Sequence, residues 1–350
     1  MLNVYSIVQR DEWDSIVKSF QQFDIYYLSG YVKAFELHGD GEPLLLYYNS
    51  ETLRGINVVM KRDIAHDKHF KGRIAEGEFF DLATPYGYGG WYFEGNQSGI
   101  DADVFKEEYA AWCIENKAVS EFVRFHPVLE NASGINNDIY DMTFLGNTVA
   151  IELDSDDKIW ERFSSKNRGH IRVAIKEDVT IRTETSKDAF DVFQRIYQTT
   201  MEHDDASSYY YFNQEFFDSI RNDLDGHYTL FTAYLGNTAI ASSIMLYAGK
   251  FMNYHLSGQL FDYRRYAGTN MILYEAAKWG CKHGYEWLHL GGGLGAKEGP
   301  LYDFKKSFYK KGDDKLFYIG KKILNAELYE RLVSMRDEPL DDNFFPRYRA

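Results

Sequence analysis

Residues 41–62 and 227–258 repeat one pattern of apolar and polar positions. In each, an apolar run meets a short polar turn and is followed by a second apolar run. The turns are Asn49-Ser50-Glu51 and Gly236-Asn237, both suited to antiparallel hairpins. A helix-like segment rich in aromatic residues precedes each hairpin, at 24–39 and 209–226. One α+β unit used twice accounts for the pattern. Between the copies, residues 145–162 read as a strand, an acidic turn and the start of a helix. This places a boundary near residue 150, with domains 1–150 and 151–350. The stretch from Leu324 onward reads as a C-terminal helix.

Two local patterns carry chemistry. Residues 287–290 form an apolar run that ends in Gly291, Gly292 and Gly293. A phosphate loop of the Gly-x-x-x-x-Gly-Lys-Ser/Thr kind is excluded, because Lys297 lies between Ala296 and Glu298. Gly291, Gly293 and Ala296 fit a permissive dinucleotide fingerprint, but too little chain follows for the rest of that domain. The glycines then read as backbone that another segment or a ligand approaches closely. Pro300 suits the first turn of the next helix. On that helix Leu301, Phe304 and Phe308 form an apolar face, while Lys306 and Lys310 point away. Lys305 falls inside the apolar arc, where a lysine either snorkels or meets an anion.

The second pattern is at 162–176, which holds five basic residues among Arg162–Lys176 and no acidic one. Ser164 or Ser165 can cap a helix there. Ile171, Ala174 and Ile175 form its buried stripe, and Arg168, Arg172 and Lys176 recur beside it. Arginine at such a rim suits carboxylate or phosphate. The run stands out because the chain carries 39 basic and 53 acidic residues, a net charge of -14. That balance argues against general nucleic-acid binding and leaves only local basic patches, at 162–176 and 305–322. The two cysteines, Cys113 and Cys281, exclude a disulfide scaffold and show no metal-ligand spacing. With neither a signal-peptide pattern nor an 18-residue apolar run, a cytoplasmic protein without an integral membrane segment is expected.

Four places together resemble the FemAB-like branch of the GNAT acyltransferase superfamily: residues 160–181, residues 261–293, Leu301–Phe308 (LYDFKKSF) and Leu82–Gly90 (LATPYGYGG). The resemblance covers most of the chain. It implies tandem GNAT-like domains, each a mixed, mostly antiparallel sheet flanked by helices. It also implies transfer of an acyl or aminoacyl group to an amine of a cell-wall or glycan/peptide acceptor. The co-substrate would be acyl-CoA or aminoacyl-tRNA, with no permanently bound cofactor or metal, and tRNA would engage the local basic patches. A helical-hairpin arm of the kind some tRNA-using members insert is not evident. The acyl-CoA loop is degenerate at Arg264–Asn270, where Arg265, Gly268 and Thr269 are the candidate donor contacts at a helix N-terminus.

Aminolysis needs a neutral amine, a stabilised oxyanion and a route for the proton. Lys305 is the candidate for oxyanion or phosphate stabilisation. Arg168 and Arg172 would hold acidic groups of the acceptor. Tyr254 and His255 lie on one strand, expected on opposite faces, with His255 a candidate proton acceptor. Glu202, beside His203, would position the amine or take its proton, with Tyr211 nearby. Tyr86 and Lys33 are candidates for acceptor binding in the first domain. His289 reads more readily as a satisfied core histidine. A non-catalytic glycan- or peptide-binding module, or a degenerate transferase, is the competing reading.

Overall fold

The computed structural model describes residues 1–337, 340, 341 and 343–350. The chain forms two compact units. The first comprises residues 1–21, 26–145 and 316–350; the second comprises 22–25 and 146–315. In chain order the strands and helices are β1 (Leu2–Ser6), α1 (Arg10–Lys18), α2 (Ser29–His38), β2 (Glu42–Asn49), β3 (Leu53–Asp63), β4 (Phe80–Ala83), β5 (Tyr92–Gly95), α3 (Ile100–Glu115), β6 (Ala118–Arg124), α4 (Asn136–Ile139) and β7 (Asp141–Glu152). There follow α5 (Asp156–Arg162), α6 (Ser165–Lys176), β8 (Val179–Glu184), α7 (Lys187–His203), α8 (Gln214–Asp223), β9 (Tyr228–Leu235), β10 (Thr238–Ala248), β11 (Phe251–Gln259), α9 (Gly268–Lys282), β12 (Trp287–Gly292) and α10 (Pro300–Lys306). The chain closes with β13 (Lys315–Ile323) and α11 (Ala326–Ser334).

Each unit is a mixed, mostly antiparallel sheet flanked by helices. In the first unit the strand order is β1-β2-β3-β4-β6-β13, with β5 paired to β3. In the second it is β8-β9-β10-β11-β12-β7. Only β4–β6 in the first and β11–β12 in the second run parallel; the other registered pairs are antiparallel. The repeated pattern of the sequence is therefore a repeated strand order. Its hairpins are β2–β3 and β9–β10, and the second turns at Gly236, whose φ of 59° is costly for a residue bearing a Cβ. The helices ahead of them are α2 and α8.

The C-terminal stretch departs from the expected division. Residues 316–350 belong to the first unit, because β13 pairs antiparallel with β6 and Leu324 N–H donates to Val119 O. A cluster of Ile64, Phe70, Val119, Tyr329, Leu332 and Tyr348 then buries the tail. Tyr348 is 0% exposed, worth about 2 kcal/mol of apolar burial. Arg349 bonds the buried Asp81, which also takes Arg62 Nε at 2.6 Å. Burial alone would raise the Asp81 carboxyl, but the two guanidinium groups hold it below the usual range.

The second unit's core runs from β7 and β12 to β9, with Ile151, Phe231, Met245 and Leu288 of the sheet packed against Ile272 of α9 and against Phe308. Gly268 lets α9 start flat on the sheet: a Cβ there would lie 3.2–3.3 Å from Ile240, Ala233 and Ala241.

Candidate active site

The parallel pair of the second unit is short. Phe251, Met252 and Asn253 pair with Trp287, Leu288 and His289, and there the register ends. Yet β11 continues to Gln259 and β12 to Gly292. The two strands therefore part along their C-terminal ends. Both carry a bulge at this point. The register of β11 on β10 jumps from Leu256 to Tyr254, making His255 the extra residue. The register of β12 on β7 jumps from His289 to Gly291, making Leu290 the extra residue. Such bulges bend a strand and re-aim its side chains, and they recur beside active sites. Asn253, the last paired residue, is held by Asp24, whose two carboxylate oxygens accept from its Nδ2 at 2.9 and 3.0 Å.

Lys305 sits at the end of β12. Its Nζ donates to Gly292 O at 2.6 Å. Burial lowers its amine to about 8, because removing the ammonium from water disfavours the charged form. The glycines before it are in close contact with other backbone. A Cβ on Gly293 would collide with Lys297 O at 2.0 Å, and one on Gly146 with Ala296 O at 2.0 Å. The projected apolar face is only partly right. Phe308 is fully buried, but α10 ends at Lys306, and Leu301 is exposed at 44%. Lys306 points away from that face as expected, and bonds Asp314 Oδ1 at 2.6 Å.

Tyr254 and His255 stand on the β11 side of the gap. The bulge breaks the simple alternation expected of them. Burial raises the Tyr254 phenol, offset by bonds to Ser257 and Ser243. Burial drives His255 down to about 3. A ring that weak in basicity accepts a proton from an amine less readily than a free imidazole. His289 is buried, with Nε2 2.9 Å from Thr148 Oγ1, the satisfied core histidine anticipated.

From the gap, β11 leads to the start of α9. Gln259, its last residue, accepts from Thr269 Oγ1 at 3.1 Å through Oε1, and its N–H donates to Thr200 Oγ1 of α7 at 2.9 Å. Arg264 and Arg265 close the 3-10 turn ahead of the helix, with Ala267 at φ 54° as the N-cap. Arg265 is exposed and donates to Tyr266 OH at 2.7 Å. No acidic residue occupies the first turn of α9. The helix dipole and two arginines make this end favourable to an anion.

The basic helix α6 packs against α9. Ser164 is its N-cap, accepting from Asn167 N–H at 3.1 Å. Ile171 and Ala174 are buried as expected, while Ile175 is 53% exposed because the stripe rolls toward Asn167. Asn167 Oδ1 accepts from Asn270 Nδ2 at 2.8 Å, and its own Nδ2 is buried without a hydrogen-bond partner. Arg168 donates to the carbonyls of Trp160, Glu161 and Phe163, closing the end of α5. One guanidinium nitrogen of Arg168 is thereby engaged within the chain. Arg172 is exposed, 5.4 Å from the centre of the Trp160 ring.

Glu202 is exposed at the end of α7, where its Oε1 accepts from Gln198 Nε2 at 3.1 Å. Tyr211 lines a separate pocket with Gln198. Lys33 and Tyr86 belong to the first unit. Lys33 pairs with Glu36 at 2.7 Å; the Tyr86 ring stacks on Phe35 at 5.6 Å, and its carbonyl accepts from Tyr31 OH. The two bulges, Gln259 and the Asn167–Asn270 pair were not anticipated. Asn167 alone left a signal, being spaced with Ile171 and Ala174 on the buried face.

Among the described residues no cluster of metal-ligating side chains occurs, and no helix is long and apolar enough to cross a membrane. Residues 162–306 match the acetyltransferase (GNAT) domain family. Among curated proteins no sequence match reaches significance. Among solved structures, FemX aligns with a TM-score of 0.69 at 13% identity, over 94% of this chain and 99% of its own. A conserved protein of unknown function from Bacteroides thetaiotaomicron aligns at 0.58 and 11% identity, over 92% and 100%. The C-terminal domain of a candidate lysylphosphatidylglycerol synthetase from Agrobacterium fabrum aligns at 0.54 and 12% identity, over 92% and 93%. The second unit thus carries a match to the GNAT acetyltransferase domain over most of its length, and the chain as a whole has the fold of FemX.

Proposed function

We propose that the second unit transfers an acyl group from acyl-CoA to a primary amine. The carrying observation is the gap between β11 and β12, flanked by two bulges and bordered by Lys305. Strand ends that part suit an extended ligand that carries its own amides, as the pantetheine arm of coenzyme A does. The start of α9, with Arg264 and Arg265, suits the donor's phosphates.

In the transfer, the amine nitrogen bonds to the thioester carbonyl carbon and the carbonyl oxygen becomes an oxyanion. Lys305, cationic below about pH 8, offsets that charge. The intermediate collapses with loss of the thiolate, and the proton of the amine passes through water to that thiolate, giving the free thiol. The amine enters neutral, having given its proton to solvent before it binds. The acidic balance of the chain favours approach of a cationic amine. The resemblance to FemAB-like proteins supports a cell-wall precursor as the acceptor, with a cytoplasmic site of action.

The test is release of free thiol from acetyl-CoA in the presence of primary amines, the cell-wall peptide side chain among them. Amine-dependent release lost in Lys305→Met supports the reading. Release that is absent for every amine, or unchanged in Lys305→Met, overturns it.

A further inference from the structure

We propose that the pocket between α7 and α8 binds a neutral sugar ring. The pocket is separate from the β11–β12 gap and encloses about 270 Å³. That is at the small end of ligand cavities, room for one ring of a larger molecule. Its wall is an aromatic stack. Tyr197, Tyr210, Tyr211, Phe212 and Phe217 line it; Phe217 meets Phe212 edge-on at 86°, and Phe212 is backed from outside the pocket by Phe216 at 4.1 Å and 12°. Tyr197 OH donates to Tyr210 O at 2.9 Å, tying the 3-10 turn Ser208–Tyr210 to α7. Flat, rigid faces of this kind accept the C–H face of a pyranose at little entropic cost.

The polar groups select among ligands. None of the described lining residues is charged, so an ionic group would lose its hydration without gaining a partner. Gln194 and Gln198 are four residues apart on one face of α7 and both line the pocket. Gln194 Nε2 is buried without a hydrogen-bond partner. Gln198 donates its Nε2 to Glu202 Oε1, which leaves its carbonyl oxygen as acceptor. A donor on Gln194, brought to the pocket surface by a turn of its side chain, and the acceptor on Gln198 would match two sugar hydroxyls, one accepting and one donating. An acyl chain would leave both amides unpaired. Glu202, placed by sequence among the catalytic candidates, becomes here a positioning residue for Gln198.

The inference stands on this pocket and does not depend on the acyltransferase reading. The probes are free glucose, free N-acetylglucosamine and a capped trialanine peptide, followed by saturation-transfer NMR and titration calorimetry on the full chain. The parent is expected to bind at least one sugar saturably, and not the peptide. Gln194→Leu is expected to weaken that binding about tenfold and to leave the melting temperature unchanged or higher, since an unpaired buried donor is removed. Gln198→Leu serves as a second variant if Gln194→Leu fails to fold. No saturable sugar binding, peptide binding in its place, or equal affinity in both variants overturns the proposal. Acetyl-CoA stabilisation, read on the same samples, reports on the transferase site separately.

Discussion

The parallel pair sits at the same place in the strand order of both units but is treated differently. In the first unit, β4 follows β6 from Phe80↔Ala118 to Ala83↔Phe122 with a register shift between Phe80 and Leu82, and the pairing is carried on by Thr84 N–H to Phe122 O at 3.0 Å and Gly89 N–H to Arg124 O at 2.8 Å. In the second, pairing stops at Asn253↔His289 and both strands bulge apart. The helices after the hairpins differ as well. The first turn of α3 carries Asp101 and Asp103, and Asp101 Oδ2 accepts from Ser50 Oγ and from Thr52. The first turn of α9 carries no acid and follows two arginines. One helix start has acidic side chains in its first turn; the other has none. A sheet of one strand order is thus closed in one copy and opened in the other, and the lysine and arginines accompany the opening.

The largest effect is expected at Lys305. Lys305→Met should lower acyl transfer roughly 100- to 1,000-fold, the range for removing an oxyanion partner. In the parent, the rate should fall as pH rises through about 8, where the amine loses its charge. Lys305→Arg, charged throughout, should remove that alkaline limb even at reduced rate.

A smaller effect should come from Arg265→Ala, which weakens acetyl-CoA binding about five- to tenfold at low salt and less at high salt. Asp101→Asn, the matching change at α3, should leave acetyl-CoA affinity untouched. Calorimetric titrations of both variants check the pair, and equal losses would erase the distinction between units.

Lys305 should also mark stability. Its folded-state value is near 8 against 10.5 for the free side chain. Between these the unfolded chain binds more protons, so stability rises with pH across that window and is penalised below it. Lys305→Met should melt about 2–4 °C higher than the parent at pH 7, with the difference closing by pH 10.5. The smallest effect is expected for His255→Asn, less than about threefold in rate, because a ring titrating near 3 contributes little as a base.

The hairpins, the repeat, the start of α10 at Pro300 and the cap at Ser164 were legible because local chemistry decides them. The place of 316–350 was not, since strand pairing between β6 and β13 is long-range and its residues carry no mark of their partner. The bulges at His255 and Leu290 were invisible for the same reason: a bulge is a mismatch between two strands, and neither sequence alone contains it. The bonds of Arg168 to the carbonyls of Trp160, Glu161 and Phe163 were not legible, because a basic residue beside an apolar stripe looks the same whether it faces a ligand or the open carbonyls of a preceding helix. The burial of Lys305 was legible because a cation within an apolar arc is a local contradiction.

The most direct measurement is hydrogen exchange of the intact chain with and without acetyl-CoA, resolved to peptides. The account predicts new protection over residues 254–259, 290–292 and the first turn of α9, with β4 and β6 unchanged. Protection confined to β4 and β6, or none at saturating acetyl-CoA, would contradict it.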